Sequence, residues 1–227
     1  MEITKLKPPY PRAKALSIQR YSFLYTGFLP LPKIVKFRWP TLGRVLTERQ
    51  SRRKFQTQLS FQELAGIVWH SARLRDKRVL ENGFVWESRI APSGGGCHPI
   101  HIVILGAPDF PRDVLIYDAE HDGFGVISSV EDRILRKALR EIDRCLRVGK
   151  GTVLWFFADI AKTAGKYVNP ESLIWRDSGA LLATFLFVVE GMGLQACGLG
   201  IHDTPSLRKI FTLPPTVIGV GGCIVAA

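Results

Sequence analysis

The sequence predicts an α+β fold or α/β sandwich. Three observations carry that prediction. Strand-like segments alternate with helix-like ones, two helices are long and apolar on at least one face, and 227 residues with 46% apolar content suffice for one large core. No shift in composition marks a second core, so one domain, residues 44–227, is expected behind an N-terminal arm, residues 1–43.

The arm sets Tyr10, Tyr21, Phe23, Tyr25, Phe28, Phe37 and Trp39 among prolines, which reads as an extended segment packed on something. Ser60 and Glu63 form a capping box ahead of the stripe Leu64, Ile67 and Val68, so a helix starts near residue 61. Residues 84–86 and 101–105 read as strands flanking a glycine-rich loop, and residues 113–119 with 123–127 as a hairpin. A second box, Ser128 with Glu131, opens a helix with Ile134, Leu135, Leu139, Ile142 and Leu146 on one face and a solvated basic face opposite. Residues 151–158 form a continuous apolar strand of the buried kind. The helix from about Asp177 to Gly191 contains an apolar stretch, residues 180–189, too short for about 30 Å of hydrocarbon and expected to be buried on all sides. Residues 193–201 read as a second glycine-rich turn, Asp203, Thr204 and Pro205 as the cap of a short helix through Phe211, and residues 217–225 as a final strand.

Charge is distributed unevenly. Residues 1–54 carry 13 Lys and Arg against 2 Glu, whereas residues 55–227 carry 18 of each sign, so the whole excess of +11 sits in the first quarter. Basic residues interleaved with aromatics suit nucleic acid or another anionic surface; an arm wrapped over its own domain or a twin subunit is the favoured alternative. The four cysteines show no paired spacing for zinc or a disulfide scaffold, which predicts a reducing, cytoplasmic compartment and no metal site. Lys5, Lys7, Pro8 and Pro9 stand where a secretion signal would need an apolar run, and neither secretion nor a membrane is expected.

Three segments offer chemistry. In the loop from Arg89 to Ile100, Pro92 fixes the backbone, Ser93 offers a hydroxyl, and Gly94, Gly95 and Gly96 remove the side chains that would keep a flat ligand from the main chain; a plain turn is the other reading. In the extended run Arg49 to Phe55, alternate side chains share a face, so Arg49, Ser51 and Arg53 can converge on one anion, with solvent exposure as the alternative. Lys166 and Tyr167 lie in a polar loop between a buried strand and a buried helix, where either can move a proton if it faces a cleft. Cys97 reads as a small buried filler, and His98 as a cap on the loop backbone or a second acid/base.

Taken in order, Arg-x-Ser-x-Arg-x-Phe, the Leu-Ser-x-x-Glu-Leu helix, Pro-Ser-Gly-Gly-Gly-x-His-Pro, Lys-Tyr, and Gly-Leu-x-Ala-Cys-Gly-Leu-Gly resemble the flavin-dependent nitroreductase family over roughly residues 44–222. Within it they are similar to the SagB-type azoline dehydrogenases of thiazole/oxazole peptide biosynthesis. The resemblance implies a mixed sheet flanked by helices and an obligate homodimer with FMN at the interface. It places Arg49, Ser51 and Arg53 on the phosphate or ribityl end, and Pro92, Ser93, Gly94 and Gly95 of the second subunit along the ring system. Leu199 and Gly200 would lie near the reactive flavin nitrogen. It also implies that Lys166 or Tyr167 takes the proton beside the azoline nitrogen while a hydride leaves the neighbouring carbon.

Two positions depart from the family. Gly96 and His98 stand where general nitroreductases carry Asn and Gln, which argues away from a generic nitro or quinone reductase. The chain ends without a basic residue after its last strand glycine, which removes one phosphate contact. The expected substrate is a peptide or small heterocycle, and the arm is expected to meet an acidic partner or leader region. An NAD(P)H-dependent nitro or quinone reductase and a non-catalytic flavin-fold partner are the alternatives.

Overall fold

The computed structural model describes residues 6–18, 20–128 and 130–227, so Lys5 lies outside the described residues. In chain order the elements are β1 (Tyr10–Pro11), β2 (Gly27–Pro30), α1 (Leu42–Glu48), α2 (Phe61–Ala72), β3 (Leu74–Val79), β4 (Val85–Arg89), β5 (Ile100–Ala107), β6 (Phe110–Asp118) and β7 (Gly123–Ile127). There follow α3 (Asp132–Asp143), β8 (Thr152–Asp159), α4 (Ile160–Ala164), β9 (Tyr167–Val168), α5 (Glu171–Gly191), β10 (Gln195–Gly198), α6 (Pro205–Phe211) and β11 (Val217–Ala226).

Seven strands form one sheet in the order β10-β11-β8-β5-β6-β7-β2. Every recorded pair is antiparallel, where a mixed sheet was expected. Strand β8 is buried at all its residues because helices cover both faces; that is why its sequence is continuously apolar rather than alternating. Its side chains divide by parity. Leu154, Phe156 and Ala158 join Leu64, Ile67 and Phe185 beneath α2 and α5, while Val153, Trp155 and Phe157 join Leu135, Ile142 and Leu207 beneath α3 and α6.

Local signals place α2 and α6 well. The Ser60 hydroxyl accepts from the Glu63 backbone N–H while the Glu63 carboxylate accepts from Ser60, and the Thr204 hydroxyl caps α6 with Pro205 in its first turn. The Ser128–Glu131 box does not form. Helix α3 starts at Asp132, with Glu131 in the capping position and no side-chain cap, so Ser128 falls short of the helix end. Residues 193–201 hold a strand, β10, which gains its partner from the C-terminal β11. Helix α5 begins at Glu171, earlier than its apolar stretch, and among the described residues is the one helix long and apolar enough to cross a membrane. It packs instead as a core helix. Only one face is fully buried, through Ile174, Leu181, Phe185 and Val189, and Ala183, Phe187 and Val188 stay half-buried, unlike the all-round burial expected.

The arm is part of this architecture. Strand β2 closes the sheet edge against β7, and β1 pairs with β9. Phe23 is buried edge-on to Phe211 and His101, and Tyr21 donates its backbone N–H to Asp159. The aromatic arm thus packs on its own chain.

Candidate active site

The loop between β4 and β5 is built around one buried carboxylate. Asp177, in the second turn of α5, accepts from the Ser93 hydroxyl at 2.5 Å and from the Gly94 N–H at 2.9 Å. The Ser93 oxygen in turn accepts the His98 N–H at 2.9 Å, drawing the loop into a closed turn. Burial raises the Asp177 carboxyl against the opposing pull of those two donors. Asp177 is not among the residues singled out from sequence, where it stands between Arg176 and Ser178 on a helix that also carries Glu171 and Glu190.

Gly95 and Gly96 both have positive φ, 64° and 66°, a region in which side chains are strained. Their empty sides are filled by the protein itself. A Cβ on Gly95 would lie 2.5 Å from the Tyr167 hydroxyl and 3.0 Å from Lys166 Nζ, and one on Gly96 would lie within the Trp86 indole. The glycines therefore seat Tyr167, Lys166 and Trp86, not a bare shelf over all three positions. The open concavity lies beside them, a cavity of about 20 Å³ lined by Pro92, Ser93, His98, Asp177 and Leu181, which is room for one water.

Lys166 and Tyr167 converge on this loop. Lys166 Nζ donates to the Gly95 carbonyl at 2.6 Å and stands 5.2 Å from the Phe84 ring centre. Burial, then the neighbouring Cys97 and Asp177, raise the Tyr167 phenol, so it holds its proton at neutral pH. The arm clamps the pair from behind: Arg12 donates through its backbone N–H to the Lys166 carbonyl and through Nε to the Ala164 carbonyl.

Cys97 is fully buried, and burial pushes its thiol up to about 11, which fits the small-filler reading. Burial and then Arg89 hold the His98 imidazole down to about 4, so it is neutral near pH 7. Behind the loop, the buried Glu87 joins Lys162 at 2.7 Å, Arg89 at 2.7 Å and Arg20 at 3.3 Å. These cations, against the opposing effect of burial, hold its carboxyl down to about 2. Arg20 and Lys162 lie 67 and 75 positions from Glu87, so only Arg89, two residues on, is near it in sequence.

The basic run sits elsewhere. Arg52 turns inward to Glu190 near the end of α5 and donates its backbone N–H to Ala196, and Phe55 is buried. This anchoring leaves Arg49 half-exposed and Ser51 and Arg53 exposed, with no ion pair for either arginine among the described residues. Such a face fits a phosphate group. Leu199 is buried with its N–H on the Gly222 carbonyl, while Gly200 is exposed. Asp177 and Glu190 lie about 20 Å apart at about 1.5 Å of rise per helical residue, so α5 separates the glycine loop from the arginine run within one chain.

A seven-stranded antiparallel sheet with helices on both faces, a serine-glycine loop at its rim and a basic run beyond its long helix define a nitroreductase-like α+β protein. The nitroreductase family model matches residues 46–226, and the chain belongs to that family. Membership makes it an oxidoreductase-family protein. A solved structure from Ralstonia eutropha described as a nitroreductase is 19% identical, with a TM-score of 0.67 over 97% of this chain and 98% of that one. A chain of the E. coli microcin synthetase McbBCD complex with truncated pro-MccB17 bound is 14% identical, TM-score 0.58, over 89% of this chain and 78% of that one. An NAD(P)H:FMN oxidoreductase from Staphylococcus epidermidis is 12% identical, TM-score 0.55, over 85% and 90%. At these identities the likeness concerns the fold. The sequence matches no curated protein.

Proposed function

We propose that the protein is a cytoplasmic, homodimeric, FMN-dependent dehydrogenase of the SagB type, oxidising azoline rings in a peptide or small heterocyclic substrate. The observation that carries this reading is the meeting of Lys166 and Tyr167 on Gly95, which sets a proton-handling pair against the loop. Two features support the dimer. The arginine run and the glycine loop are too far apart along α5 to serve one flavin from one chain, and α5 keeps a half-buried apolar side for a second copy.

Arg49, Ser51 and Arg53 of one subunit would hold the phosphate, and Pro92, Ser93, Gly94 and Gly95 of the other would border the ring system. Bound FMN would supply a hydride acceptor. Lys166 and Tyr167 would together orient the azoline and handle the proton beside its ring nitrogen, one of the two taking that proton. The likeness to a chain of the McbBCD complex, which has truncated pro-MccB17 bound, supports a peptide substrate. The exposed Lys7, Lys14, Lys33, Lys36 and Arg38 suit an acidic leader region or partner better than nucleic acid.

Purified protein should be yellow and dimeric, and replacing Arg49 and Arg53 together by Ala should strip the flavin, since each charge-assisted contact contributes about 1.5–3 kcal/mol. Lys166→Ala and Tyr167→Phe should keep flavin and dimer yet lose about a hundredfold or more in azoline oxidation. Rapid reduction by NADH or NADPH without azoline oxidation would instead assign a nitro or quinone reductase, and a colourless wild-type protein a non-catalytic partner.

A further inference from the structure

A second cleft, of about 430 Å³, lies where β5 and β6 part beneath arm residues 20–25. Pairing of the two strands runs from Ala107 opposite Phe110 only to Val103 opposite Ile116, so the start of β5 and the end of β6 diverge and both line the opening. The volume is that of a site for a small molecule.

The cleft holds polar atoms that the fold leaves without partners. Tyr117 is 7% exposed, yet its buried hydroxyl has no hydrogen-bond partner among the described residues. Arg20 Nε and His101 Nε2, on two other walls, are buried in the same state. A folded chain normally satisfies such groups, and an occupant that does so explains their convergence.

Charge narrows the class of occupant. Arg20 and Arg89 both line the cleft, and with Lys162 they share one carboxylate, Glu87. The other acids nearby are already engaged: Asp159 accepts the backbone N–H groups of Tyr21 and Ala161, Asp118 holds His121, and Glu120 holds Lys77. At the end of the cleft away from Asp118 and Glu120, the three cations Arg20, Arg89 and Lys162 face the two carboxylates of Glu87 and Asp159, a local surplus of one positive charge, with Tyr21, Phe23 and Tyr25 on the walls.

We propose that this cleft binds a small aromatic carboxylate, its carboxylate on Arg20, Arg89 and the Tyr117 hydroxyl and its ring among the arm aromatics. Arg89, Ile100 and Ile102 also border the small cavity beside Pro92 and Ser93, so the ligand sits directly behind the candidate active-site loop. The proposal stands independently of the flavin.

Calorimetric titration of the full chain with benzoate, benzamide and inorganic phosphate tests it. Benzoate should bind, whereas benzamide, which lacks the charge, and phosphate, which lacks the ring, should not. Tyr117→Phe should weaken benzoate by about tenfold or more through loss of one hydrogen bond to a charged group. Without ligand, that variant should melt no lower than the parent, because the deleted hydroxyl has no partner to lose. Absence of benzoate binding, equal binding by Tyr117→Phe, or equal binding of benzamide or phosphate would overturn the proposal. Flavin absorbance recorded on the same samples reports the FMN reading separately.

Discussion

Asp177 orders the candidate site with two hydrogen bonds, to Ser93 and Gly94. Asp177→Ala leaves both donors in a half-buried loop without an acceptor, and should cost about 1–3 kcal/mol in chemical denaturation while loosening the loop. Glu87 carries a different signature. Its carboxyl sits at about 2 in the folded protein against an ordinary 4.5, so between those values the folded chain stays ionised while the unfolded chain takes up a proton. Its contribution is therefore complete above pH 4.5 and fades as the pH falls toward 2, by about 3 kcal/mol at 1.36 kcal/mol per unit. Denaturation at stepped pH should show that loss, and Glu87→Gln should flatten it. Neither acid is legible as a site residue: Asp177 takes its role from Ser93, 84 positions away, and Glu87 from Arg20 and Lys162, 67 and 75 positions away, with only Arg89 close in sequence.

At the scale of elements, the glycine loop is legible in sequence as a loop that brings main chain to its surface. The structure adds that Gly95 makes room for the Tyr167 hydroxyl and Lys166, which no local pattern shows. Gly95→Ala combines a strained φ of 64° with a contact of 2.5 Å, so it should expel Tyr167 and destabilise by about 1–2 kcal/mol. Azoline oxidation should then fall as in Tyr167→Phe, and unchanged turnover would separate Tyr167 from the chemistry. Helices α2 and α6 were readable because a cap and a stripe are satisfied within one turn. Strand β10 was not, because a strand's hydrogen bonds belong to its partner, here β11 at the other end of the fold.

For the whole molecule, the arm joins the site to the sheet. It pairs β1 with β9 directly at Tyr167, seats Arg12 on the Lys166 carbonyl, and supplies the edge strand β2. Deleting residues 1–18 should keep the sheet folded but release Lys166 and Tyr167, read as lost hydrogen-exchange protection at residues 166–168 and reduced turnover. Unchanged protection there would leave residues 1–18 only their charge as a function. The sequence alone determined the fold class, the two-sided burial of β8, the capped helices and the segments that carry chemistry, because each is written in local periodicity or in residue types with narrow uses. Only the tertiary structure decided that Lys166 and Tyr167 meet Gly95, that Asp177 and Glu87 organise the loop from both sides, and that the arm closes over its own domain. Those contacts are set by which distant surfaces the packed core brings within a few ångströms, and no local pattern encodes that.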